Sequence, residues 1–173
     1  EVPLSFTYQG RLLNSAGTAP LTSTVDLKFE IYNPGLSCVL YEETQTGIDL
    51  SLTDGVFAVQ VGSVLGSAKR SGDDPGLAMA TILANTGSAV RADDSAGAGT
   101  CIGGYTPANG DTRVLRVTVI DGGVPTVLAP DQTIQSQPYA TVAQTVQGLG
   151  PSDFVRISGS VSITQAKVET LVG

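Results

Sequence analysis

Alternation of apolar and polar residues is the feature of this sequence that most limits its fold. Residues 24–32 read TVDLKFEIY, and the apolar series in this segment is Val25, Leu27, Phe29 and Ile31. Successive side chains of a β-strand point to opposite faces of its sheet, so a period of two predicts a strand with one buried face. The segment therefore favours a mainly β, antiparallel, sandwich-like fold.

Further strands are predicted where β-branched and aromatic residues lie between turn signals. They cover residues 4–13, 38–46, 56–61, 113–121 and 126–128. Short links join the first four strands, as in an antiparallel meander, and the strand at 113–121 is predicted to be central. Gly10 predicts a bulge or a close approach of the backbone. The turn Thr53-Asp54-Gly55 is predicted because Asp-Gly tolerates positive φ, and Pro130-Asp131 is predicted to end the sheet.

Residues 62–111 form a loop-rich insertion in this β pattern, with many Gly, Ala, Ser and Asp residues. Within it, the apolar residues Leu77, Ala80 and Leu83 predict one face of a short helix that starts at Leu77 and ends at Leu83. Residues 89–91 predict a short strand. Loops of this length are uncommon in compact domains unless they have a role. The insertion is therefore either a binding surface or an ordered excursion held by Cys101, and the sequence leaves both open.

A helical pattern replaces the β pattern after residue 136. Two apolar series with the spacing of a seam between paired helices are formed by Tyr139, Val142, Val146, Leu149, Val161, Val168 and Leu171. Helices this short are marginal in water by themselves, so these residues are predicted to contact sister chains. The sequence thus predicts a β-rich head at residues 1–136 and a short helical, coiled-coil neck at 137–173 that begins a trimeric stalk.

Charge and histidine content argue against several classes of function. The net charge of −7 disfavours binding to nucleic-acid phosphates and to an anionic membrane surface. No apolar run reaches the roughly 20 residues of a membrane helix, so we expect no membrane insertion. The absence of His removes the commonest general base and transition-metal ligand. We therefore predict no enzyme activity, no metal and no cofactor; a hydrolase using a serine and Lys69 is the remaining alternative.

Two cysteines bear on the compartment in which the chain folds. Cys38 and Cys101 match no metal-ligand spacing, and a disulfide between them would close a long loop, worth about 4 kcal/mol in the chain-entropy model. Two buried free thiols in a cytosolic protein are the alternative. Charged residues make up only 14% of the chain, which is typical of exported β-proteins. We expect a cell-surface, extracellular or periplasmic location, and Glu1-Val2-Pro3 suits a mature end left by signal cleavage.

Candidate ligand-binding residues lie mainly in the loop-rich insertion. The carboxylate groups at Asp73-Asp74, Asp93-Asp94 and Asn109-Gly110-Asp111 have the oxygen ligands that Ca²⁺ prefers. No twelve-residue calcium loop surrounds them, however, and solvated turn residues are the alternative. Tyr105, within a Gly- and Pro-containing loop, is the tyrosine predicted to be exposed. It is a candidate for binding a sugar or a protein through its flat apolar ring and its hydroxyl.

Four motifs in the same order resemble a known family of bacterial extracellular β-domains. They are FTYQGRL at 6–12, VDLKFEIY at 25–32, DGVFAVQVG at 54–62, and a closing element that runs from LAPDQ at 128–132 to QPYA at 137–140. Together they resemble the heads of modular bacterial surface fibres, the mosaic adhesive trimers. The resemblance implies an exported, homotrimeric adhesin that recognises a cell-surface glycan or envelope protein on a host or prey cell. A structural spacer without a ligand of its own is the alternative from a different class.

The neck predicts an oligomeric state that sedimentation measures directly. We expect the 173-residue chain to sediment as a trimer. A chain ended at Gly150, which lacks Val161, Val168 and Leu171, is expected to dissociate at a higher concentration because part of the apolar seam is gone. Two monomeric species would contradict the trimer prediction.

Overall fold

The computed structural model describes residues 5–62, 69–70, 72–85, 87–97 and 99–134. The chain divides into two units, Glu1–Ser136 and Gln137–Gly173, and all described residues belong to the first. The trimer contacts predicted between residues 139 and 171 lie outside the described residues. The predicted neck and trimer therefore stay predictions.

The described residues contain seven strands and one short helix. In chain order they are β1 (Phe6–Arg11), β2 (Thr24–Tyr32), β3 (Val39–Asp49), β4 (Val56–Val61), α1 (Met79–Leu83), β5 (Arg113–Asp121), β6 (Val124–Val127) and β7 (Gln132–Ile134). All strand pairs are antiparallel. The mainly β, antiparallel prediction is confirmed.

The strands form two sheets. β1 pairs with β4 in a two-stranded sheet, and the larger sheet has the order β3-β2-β5-β6, with β7 also paired to β5. The predicted four-strand meander is therefore wrong. The link after β1 forms its own turn around Asn14, whose N–H donates to Ala19 O at 2.8 Å, and β2 then starts the other sheet. The turn before β4 returns the chain to β1, where Leu12 N donates to Gly55 O at 2.9 Å.

The larger sheet has its apolar core on the strands that the sequence predicted best. β2 covers the predicted residues 24–32, and Leu27, Phe29 and Ile31 are fully buried. β5 pairs with β2 on one side and with β6 and β7 on the other, so the prediction of a central strand is confirmed. By contrast, all four residues of β6 are exposed.

Aromatic rings join the two sheets. The Tyr8 ring of β1 lies 5.4 Å from the Phe29 ring of β2 and 5.9 Å from the Phe57 ring of β4, measured between centroids. Gly10 pairs in register with Phe57 without a bulge. A Cβ atom at Gly10 would lie 3.2 Å from the Phe57 ring, so the close neighbour of Gly10 is a side chain.

Three local predictions need correction. Pro130-Asp131 does not end the larger sheet, because β7 follows and pairs with Arg113–Leu115. α1 is shorter than predicted and buries Met79 and Ile82 instead of the predicted face. Its start is delayed because Arg70 holds the preceding extended segment, donating to Leu77 O at 2.7 Å. The strand predicted at 89–91 is a single bridge between Arg91 and Tyr105.

The predicted Thr53-Asp54-Gly55 turn is confirmed, with φ of 51° at Asp54 and 78° at Gly55, and it generates a stability prediction. A Cβ at Gly55 would lie 2.3 Å from Leu12 O. Gly55→Ala should therefore lower the free energy of unfolding by roughly 3 kcal/mol, since about 1–2 kcal/mol of left-handed strain adds to a forced backbone shift. Urea unfolding followed by circular dichroism measures this loss.

Gly47→Ala is the matched control, because Gly47 has φ of 72° and no atom within 4 Å of its Cβ position. It should lose only the strain of about 1–2 kcal/mol. Equal losses in both variants would show that the contact with Leu12 does not restrict the turn.

Candidate functional site

The candidate site is the excursion loop, which we define as residues 84–112 between α1 and β5. Its described part contains no strand and pairs only through two isolated bridges, Cys38 with Cys101 and Arg91 with Tyr105. It is nevertheless ordered by buried side chains next to β5, which we call its base, and by a disulfide at Cys101. We call the exposed residues 95–97, 102 and 103, on either side of Cys101 in the sequence, its outer end. The contacts that hold it explain how a loop of this length keeps one shape.

Arg113, the first residue of β5, organises the base of the excursion loop. Its side chain is 2% exposed. The guanidinium donates to Ile82 O at 2.6 Å, Ala84 O at 3.0 Å and Thr112 O at 2.9 Å. Carbonyl groups at a helix C-terminus lack partners within the helix, so Arg113 satisfies the end of α1 and both ends of the loop with one side chain. Burial lowers the pKa of Arg113.

Tyr105 packs against Arg113 inside the loop. The Arg113 guanidinium carbon lies 5.0 Å from the Tyr105 ring centroid, and the hydroxyl donates to Asp111 Oδ2 at 3.1 Å. Burial of the side chain raises the pKa of Tyr105 to about 12. The residue is only 8% exposed, so the prediction of an exposed Tyr105 is wrong. The ring fills the space beneath the loop instead of facing a ligand.

The disulfide predicted between Cys38 and Cys101 is present, and both residues are fully buried. Hydrogen bonds extend the attachment on either side of it. Val39 N donates to Thr100 O at 2.8 Å, and Ile102 N donates to Ser37 O at 2.9 Å. The loop therefore pairs in the antiparallel direction with the residues at the start of β3.

Arg91 and Asp94 form a second internal support. Arg91 Nη2 lies 2.6 Å from Asp94 Oδ2, and Arg91 also donates to Val39 O. The Asp94 carboxylate accepts hydrogen bonds from Thr100 Oγ1 at 2.8 Å and from the Cys101 N–H. The pKa of Asp94 is low: desolvation opposes the shift, and these hydrogen bonds together with Arg91 outweigh it.

Asp93 and Asp74, two further carboxylates considered for calcium, also bind groups of the chain itself, whereas Asp73 is exposed. Asp93 Oδ1 accepts from Ser95 N at 2.9 Å and from Gly103 N at 3.0 Å, and these amides lower its pKa. Asp74 Oδ1 lies 3.1 Å from Arg70 Nη1, and Asp74 Oδ2 accepts a hydrogen bond from Glu42 N at 2.8 Å. Among the described residues, no three His, Cys, Asp or Glu side chains are grouped so that they could hold a metal ion.

The outer face of the larger sheet carries a separate row of charged side chains. Arg116 makes two hydrogen bonds to Asp131, at 2.7 and 3.1 Å, and these lower the pKa of Asp131. Lys28 lies 3.1 Å from Glu30 and 3.4 Å from Glu42. These charges bind one another within β2, between β2 and β3, and between β5 and the residue before β7. The row therefore stabilises the sheet face and offers less to a ligand than the excursion loop does.

Two exposed aliphatic residues flank the disulfide, and we call this pair the tip. Ile102 is 62% exposed and Leu36 is 43% exposed. Neither was predicted as a site residue, although each lies within two positions of a cysteine in the sequence. Arg113 was missed as well. Its position did carry a signal, because it shares the alternation of Leu115, Val117 and Val119 and so falls on the buried face of β5.

Lys69, the residue considered for a serine–lysine hydrolase, lies beside β3. It is exposed, and its carbonyl oxygen accepts from Thr44 N at 3.1 Å. The contact described for Lys69 is thus a backbone hydrogen bond to β3, an edge strand of the larger sheet.

Replacing Arg113 tests whether it holds the base of the excursion loop. Arg113→Met should lower the free energy of unfolding by roughly 4 kcal/mol, because several buried carbonyls lose their donor and each costs about 1–3 kcal/mol. Arg116→Met is the control: its partly exposed pair with Asp131 is worth about 1 kcal/mol or less. Denaturant unfolding compares the two variants, and a similar loss in both would contradict the special role of Arg113.

Comparison with known proteins identifies a family for most of the chain. Residues 7–131 match the model of a family described as a domain of unknown function (DUF8740). No curated protein and no solved structure matches the chain. Among the described residues, no helix has the length and apolar character to span a membrane. Since the matched residues cover well over half of the sequence, the chain belongs to the DUF8740 family.

Proposed function

We propose that this chain is the head of a homotrimeric, exported bacterial surface fibre, and that the excursion loop presents a binding surface to a target cell. The two antiparallel sheets would form a sandwich-like body, and residues 137–173 would form the helical neck. The observation that carries the proposal is the excursion loop itself, which is rigidly supported at its base and exposed at its outer end. Binding residues commonly lie on loops that a rigid scaffold positions.

The excursion loop is held at its base by contacts with the body and is exposed at its outer end. Arg113 and Tyr105 fix its base, and the Cys38–Cys101 disulfide fixes it near the outer end. Beyond these supports, Ser95, Ala96 and Ile102 are exposed. A preorganised loop loses little conformational entropy on binding, so this arrangement favours recognition.

The disulfide also supports export. Disulfides persist in oxidising compartments and are rare in the cytosol, and the Cys38–Cys101 bond is compatible with secretion. The motifs that resemble bacterial fibre heads favour the same location. In a trimer, three excursion loops would engage one surface together, and avidity would raise the apparent affinity well above that of a single head.

The side chains of the loop fit recognition better than catalysis. Asp93 and Asp94 accept hydrogen bonds from backbone N–H groups and from Arg91, and Asp111 accepts from Tyr105. These carboxylates shape the loop, and the other exposed residues of its described part have small, aliphatic or uncharged polar side chains. We therefore propose a non-enzymatic adhesin.

Binding to isolated bacterial envelopes and to a glycan array tests this proposal. We expect the labelled 173-residue chain to bind at least one of these surfaces saturably. Insertion of Gly-Ser-Gly-Ser between Ser95 and Ala96 should lower the affinity at least tenfold, because it displaces the outer end of the loop. Exposed turn tips tolerate insertions, so the fold should be retained.

The matched control carries the same insertion between Gly122 and Gly123, in the exposed turn between β5 and β6. It should bind within twofold of the wild type. If both insertions bind equally, the excursion loop is not the binding surface. If the wild-type chain binds nothing in the panel, the structural spacer without a ligand becomes the better description.

A further inference from the structure

We infer that the tip, Leu36 with Ile102, is the anchor through which the head binds, and that its partner is a protein with an apolar depression rimmed by basic residues. This inference rests on the proposed function and names the contact and its chemistry. It is carried by the position of the two side chains, by the backbone of Leu36 and by the charge around them.

The two residues of the tip lie on neighbouring segments. Ile102 N donates to Ser37 O at 2.9 Å, and Cys38 is bonded to Cys101 directly beside this contact. The disulfide and the hydrogen bond fix the spacing of Leu36 and Ile102. An aliphatic pair on so rigid a base suits an apolar pocket, since binding energy concentrates in a few well-packed anchor residues.

The backbone of Leu36 is unusual for its residue type. Its φ is 57°, in the left-handed region that Gly and Asn adopt more readily than Leu. Asn33 imposes this shape: its Oδ1 accepts from Ser37 N at 2.9 Å and from Cys38 N at 3.0 Å, and its carbonyl oxygen accepts from Leu36 N at 3.1 Å. Gly would fit this turn with less strain.

The turn itself does not require a leucine at this position. The side chain is 43% exposed, so a large part of its apolar surface faces solvent although its backbone is strained. Strained residues that persist in a well-determined turn occur preferentially at binding sites. The exposed Leu36, in the segment that is hydrogen-bonded to the segment of the exposed Ile102, is best explained by a contact outside the chain.

The chemistry of the tip favours a protein partner over a sugar. Sugar sites use flat aromatic faces together with polar groups that are free to bind hydroxyls. Tyr105 is buried, and Asp93 and Asp94 of the excursion loop accept hydrogen bonds from the loop's own backbone. What the tip presents is aliphatic.

The negative charge of this chain favours a partner whose rim is positively charged. Asp93 is exposed, and its Oδ1 accepts from Gly103 N, the residue after Ile102, at 3.0 Å. Like any aspartate near its usual pKa, this carboxylate is ionised at neutral pH. The whole chain carries a net charge of −7, so a basic rim is complementary and would accelerate association at low salt.

Leu36→Gly and Ile102→Ser test the inference on the 173-residue chain, with a bacterial envelope fraction as the probe. Leu36→Gly should unfold at the same or a higher temperature than the wild type, because strain is relieved, and yet bind at least tenfold more weakly. Ile102→Ser should show a similar loss of binding with unchanged stability. Digestion of the envelope fraction with protease should abolish binding, and raising the salt concentration should weaken it.

Leu52→Ser is the matched control, because Leu52 is 95% exposed and lies in the turn before β4, outside the tip. It should bind like the wild type. The inference is overturned if wild-type binding persists while both tip variants bind equally well, and the proposed function then survives. Binding that resists protease and is competed by envelope polysaccharide would establish a sugar partner instead. Loss of self-association in the tip variants would identify a second copy of this chain as the partner, and absence of wild-type binding removes both proposals.

Discussion

The guanidinium of Arg113 is the interaction on which the excursion loop depends. It enters the interior at the start of the central strand, where a purely apolar side chain would leave the carbonyl groups of Ile82, Ala84 and Thr112 without a donor. Buried polar groups cost free energy unless they are paired. One planar group with five donors satisfies several acceptors at once, which allows a long segment without strands to lie against the body in one conformation.

The sequence predicted individual strands much better than their pairing. β2 and β5 were predicted with their observed bounds because a period of two marks one buried face. The pairing of β1 with β4 was missed, since it joins residues about 50 positions apart and no local pattern records such contacts. The meander was the natural expectation from short links, but the turns around Asn14 and Gly55 send consecutive strands to different sheets.

The candidate site was predicted in part. The disulfide between Cys38 and Cys101 followed from compartment and spacing, because two cysteines without metal-ligand spacing leave few roles. The burial of Tyr105 did not follow, because it depends on Arg113 and Asp111 closing around the ring, and composition cannot show that. The strain at Leu36 is invisible in the sequence, where Asn33-Pro34-Gly35 predicts only a turn. The strained residue comes directly after that glycine.

The covalent link near the tip also determines how a pulling force would travel through the head. The disulfide joins residues 63 positions apart, so tension applied at Leu36 passes from Cys38 directly to Cys101 and then along the chain to β5. The strands β3 and β4 and the helix α1 lie inside this covalent ring and bear no tension along their backbone. The loaded path is short: residues 101–112, anchored by Tyr105 and Arg113, followed by the central strand. In the proposed fibre, tension between the tip and the neck would thus pass through the central strand and through β6 and β7 after it, while β3, β4 and α1 stay unloaded.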